Sequence, residues 1–293
     1  MSSEGGFWGG RRPRIVIWGV GLIGGSLGMA WRRSGVADEV IGIGRRPLDL
    51  AVRLGAIDRY TTDPAEGIAQ ADVLVLAAPV GVIIRQAAEY GPMVRPGTIV
   101  TDVGSTKAAI VAAWEAHLPE GAAFVGGHPM FGRERSGVEH AAADLPAGCR
   151  YVLTPTERTD PRAVAAVAEL VRSAGAELRQ MSPAEHDARV AVVSHLPQLV
   201  ATALAAAAGE ADRRQGGVVD LAAGGFRDTT RVASSPVELW TDIFLTNAGP
   251  IQHALAQFRD SLDQLAEAVA RGDRQQLAEV FARAHEARNR LPL

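Results

Sequence analysis

Arg14-Ile15-Val16-Ile17-Trp18-Gly19-Val20-Gly21-Leu22-Ile23-Gly24-Gly25-Ser26-Leu27-Gly28 is the stretch that decides the fold. An apolar, β-branched run passes directly into G-x-G-x-x-G and then into a helical pattern carrying Leu27, Met29, Ala30 and Trp31, so it reads as strand, glycine turn and helix. In that order Gly19 makes the tight turn, Gly21 lets a pyrophosphate approach the backbone, and Gly24 packs helix on strand. The unpaired N–H groups of the helix that opens at Leu22 and Ile23 would meet the phosphates. G-x-G-x-x-G alone is a common pattern. The strand before it and the helix after it supply the context that points to dinucleotide binding, against the plainer alternative of a glycine-rich turn without a ligand.

Working outward, 293 residues suit two domains at roughly 100–200 residues each. Hydrophobic residues make up 47% and charged residues 22%, and a net charge of -3 gives no electrostatic case for nucleic acid or an anionic membrane as partner. Cys149 is the single cysteine, so neither an internal disulfide nor a C-x-x-C site is available; it reads as a small residue at a strand edge. Residues 1–12 are Gly- and Ser-rich without an apolar leader core and read as a flexible N-terminus. No later run reaches the ~18 uninterrupted apolar residues of a membrane span, so a cytoplasmic location is expected. Of the 30 basic residues only Lys107 is lysine, which singles that position out.

Strand and helix patterns alternate along the first part of the chain. Glu39 to Gly44 is β-like, Leu48 to Leu54 helical, and Asp72 to Ala78 a continuous apolar run ended by Pro79, which with Val80 opens a loop on the ligand side. Thr98 to Val103 repeats the pattern before Gly104-Ser105-Thr106-Lys107 and a helix from Ala108 to about His117. Ala123 to Gly126 is a strand leading to Gly127-His128-Pro129-Met130-Phe131-Gly132; Arg150 to Thr154 and Ala176 to Met181 are strands around a helix from Arg162 to Ala174. Ligands of such sheets bind at the carboxyl ends of the strands, where the glycine turn, Pro79, Ser105 and His128 all fall. From Ser182 the pattern is helical to the end, which sets the expected domains at 13–181 and 182–293. Ser182-Pro183-Ala184-Glu185 is a capping box, and Ser235-Pro236-Val237-Glu238 reads as a second. Phe258, Leu262, Leu265 and Val269, then Leu277, Val280 and Phe281 beyond Gly272, form an apolar stripe that suits intrachain core or a two-fold dimer seam.

His128, fixed between a glycine and a proline just past a strand, suits a general base or hydrogen-bond acceptor, or a structural role. Pro197 should kink a helix beside His195, and His186, nine residues earlier, lies half a revolution away, so the two should not share a metal. His186 reads as a cap or a supporting hydrogen-bond partner. Ser105 is placed to cap the next helix. Arg227 and Arg231, four apart, would share a helical face and could grip a carboxylate, or be solvated. Where an NAD site carries an acid at the end of the second strand, this chain has Gly44-Arg45-Arg46, with room at Gly44 and guanidinium groups suited to a 2′-phosphate, so NADP should be preferred and NAD a poorer substitute.

Taken together, G-x-G-L-I-G-G-S from Gly19, D-V-G-S-T-K from Asp102, G-G-H-P-M-F-G from Gly126, His186-Asp187, S-H-L-P from Ser194, and G-F-R-D-T-T-R with Trp240 nine residues after Arg231 resemble the prephenate and arogenate dehydrogenases of tyrosine biosynthesis. The resemblance runs from about residue 13 to 285 and rests on several separate motifs in order. It implies an α/β fold, a Rossmann-type dinucleotide-binding domain followed by an all-α dimerisation domain, a homodimer, and an active site between domains that oxidatively decarboxylates prephenate or arogenate. His128 would accept the hydrogen bond or proton of the ring hydroxyl, Ser105 would orient hydroxyl, histidine and nicotinamide, and Arg231 would hold the substrate, with His195 assisting, Trp240 shaping the pocket and Arg133 close by. Gln198 stands where many members carry histidine after S-H-L-P, a departure that bears on the pyruvyl or alanyl side chain of the substrate. A β-hydroxyacid dehydrogenase would need a lysine in the helical domain, and that domain has none; a cofactor-sensing binding protein would leave the catalytic set unexplained. No strand-rich regulatory module is expected after the helical domain, so tyrosine inhibition should be competitive.

Overall fold

Strand β1 (Arg14–Trp18) is buried over its last four residues because β2 (Glu39–Ile43) and β4 (Val73–Leu76) pair with it on either side and helices cover both faces. A computed structural model describes residues 7–132 and 135–291. Its single sheet has the order β3-β2-β1-β4-β5-β6-β7-β8, with β3 at Arg59–Thr61, β5 at Ile99–Asp102, β6 at Ala123–Pro129, β7 at Arg150–Thr154 and β8 at Glu177–Gln180. The strands from β1 to β6 are parallel; β7 pairs antiparallel with β6, and β8 follows β7 in parallel. Alternate residues feed two cores: Ile15, Ile17 and Val75 meet Leu27 of α1 (Leu22–Ser34), whereas Val16, Leu74 and Leu76 meet Ile110 and Trp114 of α5 (Ala108–His117).

The remaining helices of this layer are α2 (Asp49–Arg53), α3 (Pro64–Gln70), α4 (Val80–Tyr90) and α6 (Pro161–Ser173). β3 and α3 were not expected; three paired residues and a seven-residue helix are too short to carry a period. The loop expected at Pro79-Val80 is instead the start of α4, with Pro79 (φ -56°) as its N-cap. Residues 7–12 are not a loose arm: Phe7 and Trp8 pack on the first core and Arg11 donates to the buried Asp72 carboxylate at 2.7 Å, a group that needs a cation once out of water. Residues 1–6 lie outside the described residues.

The helical part comprises α7 (Pro183–Val190), α8 (Leu196–Gln215), α9 (Gly224–Thr230), α10 (Val237–Thr246), α11 (Ala248–Arg271) and α12 (Arg274–Asn289). Ser182 caps α7, accepting the Glu185 N–H at 3.2 Å. The expected kink beside His195 takes the form of a π-helical turn, Ala191–His195, that joins α7 to α8 where Pro197 removes a donor. Ser235 is no capping box: its own N–H closes the preceding 3₁₀ turn on Val232, and Pro236 starts α10 without a side-chain cap. Ala191, Ile251 and Ala254 form the small core here, with Leu196, Leu199 and Phe244 against it. The continuous run Pro183–Gln215 is apolar enough to suit a membrane span by length and composition, but polar atoms of His186, Asp187 and His195 tie it into the rest of the protein.

Candidate active site

β5 ends at Asp102, whose buried carboxylate organises the loop and strand around it: Oδ2 accepts the Gly104 N–H at 2.8 Å and Oδ1 the Gly127 N–H at 3.0 Å. Lys107 completes the cluster with an ion pair to Asp102 and a 2.6 Å donation to the Gly127 carbonyl. Complete burial pushes the Lys107 ammonium below its usual range, against the opposing pull of Asp102 and Asp187. Gly127 is therefore held through both backbone groups, and the next residue is His128. His128 lies within β6, opposite Val152, rather than past the strand as expected, because the antiparallel β7 extends the pairing to Pro129.

From the helical side, His186 of α7 brings Nε2 to 2.8 Å from His128 Nδ1, the rings being near-perpendicular at 71°. His186 Nδ1 is 2.8 Å from Asp187 Oδ1. The Asp187 oxygens also accept the N–H groups of Lys107 and Ala108 at 2.8 and 2.9 Å. Asp187 thus caps α5, the role expected of Ser105; α5 begins at Ala108, too late for a serine three residues earlier to reach, and Ser105 sits half-buried in the preceding loop. Asn247 Nδ2 donates to the Asp187 carbonyl at 2.9 Å and faces His195 Nδ1 at 3.0 Å. Trp240 stands edge-on to His195, centroids 6.0 Å apart. A second carboxylate, Asp242, accepts the Gly81 N–H at the start of α4 at 3.0 Å, and Thr246 bonds Thr106 at 2.9 Å.

These surroundings hold both imidazoles neutral. Burial first, then the nearness of His186, Lys107 and His195, against which a further positive charge would be repelled, keeps His128 well below the ordinary imidazole value. Burial first, then His186, against the pull of Asp187, pushes His195 down to about 4.

The glycine turn fits a dinucleotide. At Gly19 (φ +105°) a Cβ would lie 2.3 Å from the Ala77 carbonyl oxygen, and at Gly24 one would lie 2.3 Å from Gly19 O and 2.9 Å from Ile17 Cγ2. Gly21, the N-cap of α1, instead faces open space, with the helix N–H groups from Leu22 and Ile23 behind it. Pro79 ends the neighbouring β4 connection. Arg45 and Arg46 are exposed beyond β2. Gly44 is tighter than expected: a Cβ there would meet Leu48 Cδ2 at 2.9 Å, because Leu48 folds back over the turn ahead of α2. Arg231 is exposed at the start of a 3₁₀ turn, Arg231–Ser234, that packs on α8; the helix shared with Arg227 ends one residue earlier, at Thr230. Arg133 lies outside the described residues.

The sequence reading brought forward His128, His195 and Trp240, and the structure unites the first with His186 and the last two with each other. Asp102, Asp187, Asp242 and Asn247 were missed as site-forming groups. Their bonds across the site span 25 to 161 positions; the adjacency His186-Asp187 and the run from Asp102 to Lys107 left the local traces.

A glycine cradle at the carboxyl end of a parallel sheet, with a histidine of the same sheet edge met by a histidine of an appended helical domain, defines a two-domain nucleotide-binding protein with an imidazole site. Residues 27–180 match the family model of the prephenate dehydrogenase nucleotide-binding domain and residues 182–283 that of its dimerization domain. The chain belongs to the prephenate dehydrogenase family. A prephenate dehydrogenase of Bacillus subtilis is 35% identical over 96% of this chain and 77% of its own length. A cyclohexadienyl dehydrogenase of Zymomonas mobilis is 32% identical, covering 94% of each. Among solved structures, the A. aeolicus prephenate dehydrogenase in complex with hydroxyphenyl propionate and NAD+ superposes with a TM-score of 0.89 at 34% identity, over 95% of this chain and 98% of that one. A Synechocystis arogenate dehydrogenase gives 0.82 at 33%, over 94% and 99%.

Proposed function

We propose that this chain is a cytoplasmic, homodimeric prephenate dehydrogenase that converts prephenate to 4-hydroxyphenylpyruvate and carbon dioxide with an NAD(P) cofactor, using a nucleotide-binding domain over 13–181 and a helical domain over 182–293. Gly19, Gly21, Leu22, Ile23, Gly24 and Pro79 would hold the cofactor with Ser105, and Arg45 and Arg46 beside Gly44 its adenosine 2′-phosphate, which favours NADP. Bound there, the nicotinamide supplies the hydride acceptor.

The observation that carries the reading is His128 held at the carboxyl end of β6, the same edge of the parallel sheet as the glycine turn, with its Nδ1 2.8 Å from His186 Nε2. As the hydride leaves the ring carbon that bears the hydroxyl, positive charge develops on that oxygen. An imidazole lone pair accepting its hydrogen bond stabilises the charge, while the ring carboxylate departs as carbon dioxide and its electrons complete the aromatic ring. The hydroxyl stays as the phenol. His128 must be neutral for this, and its lowered pKa keeps it so. Ser105 orients the hydroxyl; Arg231, with His195, Trp240 and Arg133, holds the carboxylates.

One observation favours arogenate as a second substrate. Gln198 Oε1 is buried without a hydrogen-bond partner three residues beyond His195, an acceptor suited to the ammonium of an alanyl side chain. Reduced-cofactor absorbance with prephenate and with arogenate, each with NADP and NAD, tests the reading. No turnover of either substrate would overturn it.

The apolar stripe supports the dimer: Leu262, Val269 and Phe281 are 50%, 67% and 66% exposed in the single chain, so they are not its core.

A further inference from the structure

A neutral imidazole has one N–H and one lone pair, and which nitrogen carries which is set by its partners. Asp187 offers only oxygens, and both already accept backbone N–H groups, of Lys107 just before α5 and of Ala108 at its start. The 2.8 Å contact to His186 Nδ1 is therefore a donation by the histidine. A neutral His186 then has its lone pair on Nε2, and at 2.8 Å it accepts from His128 Nδ1. The second chain starts from the same residue. The Asp187 carbonyl can only accept, so the Asn247 amide nitrogen faces it, and that same nitrogen faces His195 Nδ1. An amide nitrogen only donates, so His195 Nδ1 accepts.

We infer that Asp187 sets the two imidazoles of the site in opposite tautomers: His128, through His186, with its lone pair on Nε2, and His195, through Asn247, with its proton on Nε2. The site thereby holds one imidazole acceptor and one imidazole donor. His186, Asp187 and Asn247 are positioning residues, not catalytic ones. On the reading of His128 as acceptor of the substrate hydroxyl, the first arm keeps the needed lone pair free; the second offers an N–H to a substrate carboxylate without a net charge. Proton uptake by His128 would also be shared along the line toward the Asp187 carboxylate, which favours the charged state as it forms.

Long-range ¹⁵N–¹H spectra of the histidine-labelled wild-type protein at neutral pH read the tautomers directly, without turnover, with His128 and His195 assigned by single substitutions. His128 protonated on Nδ1 and His195 on Nε2 is the expected result. His128 protonated on Nε2, a doubly protonated His186, or His195 protonated on Nδ1 overturns the inference. Kinetics give the second reading. His186→Leu should lower kcat by about 10²-fold, the lower end of what a positioned base supplies, with KM changed little, while His186→Gln, whose carbonyl can accept from Nδ1, recovers most of it. Asn247→Leu should act on KM instead. Equal effects of both substitutions on kcat and KM would mark a merely structural role and overturn the inference. A wild-type protein inactive on both substrates would remove the functional reading, and the spectra would still decide the tautomers.

Discussion

The ammonium of Lys107 donates to the Gly127 carbonyl at 2.6 Å, one residue before His128, while its ion-pair partner Asp102 accepts the N–H of the same glycine. This accounts for a lone lysine among arginines. The side chain is wholly buried, with its compact ammonium between Asp102 and the Gly127 carbonyl. Lys107→Met should destabilise the protein by about 3–5 kcal/mol, because it leaves a buried carboxylate without its counter-charge. Lys107→Arg should also lower Tm by overpacking. Urea midpoints at constant m-value measure both; an unchanged midpoint for Lys107→Met would show that the cluster is not held by charge.

His128→Asn should reduce kcat by ~10²–10⁴, the range for a positioned acceptor, and leave cofactor affinity nearly unchanged. Retention of more than half the activity would remove His128 from the chemistry.

Acid should unfold the protein partly through His195. Its pKa is about 4 when folded and 6.5 unperturbed, so between those values the unfolded chain binds more protons. Stability is fully present above 6.5 and is lost as pH falls through the window, at up to about 1.4 kcal/mol per pH unit. The groups facing His195 are His186, Asp187, Asn247 and Trp240; His128, likewise depressed, contributes in the same direction. Denaturant midpoints from pH 7 down to 4, in wild type and in His195→Gln, should diverge in slope; parallel curves would reject the assignment.

Cofactor choice should rest on Arg45 and Arg46. Arg45→Ala with Arg46→Ala should lower kcat/KM for NADP at least tenfold and leave NAD nearly untouched, as expected when a phosphate loses its cationic partners. Substituting Gly44 is a poorer probe, since any side chain there displaces Leu48. A wild type that favours NAD refutes the preference.

Val269→Glu combined with Phe281→Glu should convert a dimer to monomers in sedimentation, since charge on a buried apolar seam is unpaired. A monomeric wild type would assign the stripe another role.

The glycine turn was legible because sterics leave no other residue: a Cβ at Gly19 or Gly24 collides with backbone. The helical switch was legible because Ser182 and Pro183 act locally. His128 could be found from its neighbours, yet not its partner, because the bond to His186 joins positions 58 apart and no periodicity encodes it. Asn247 left no mark at all: it is a single amide between two helices, and its meaning comes only from the carbonyl and the imidazole it bridges. Ser105 misled because serine before a helix is so good a cap that a carboxylate arriving from 80 positions away is not considered.

Asp187 and Asp242 have one more consequence. Each is carried by the helical part and seats on the bare amides at the start of a sheet-domain helix, α5 in one case and α4 in the other. The two halves are therefore keyed, like a plug with two pins, and are not freely exchangeable modules. A foreign helical domain lacking either carboxylate would leave a helix start uncapped, and without Asp187 it would bring no ordered imidazole to His128. Formation of the His128–His186 contact and docking of the two parts are one event, so selection for a correctly seated interface is at the same time selection for that contact.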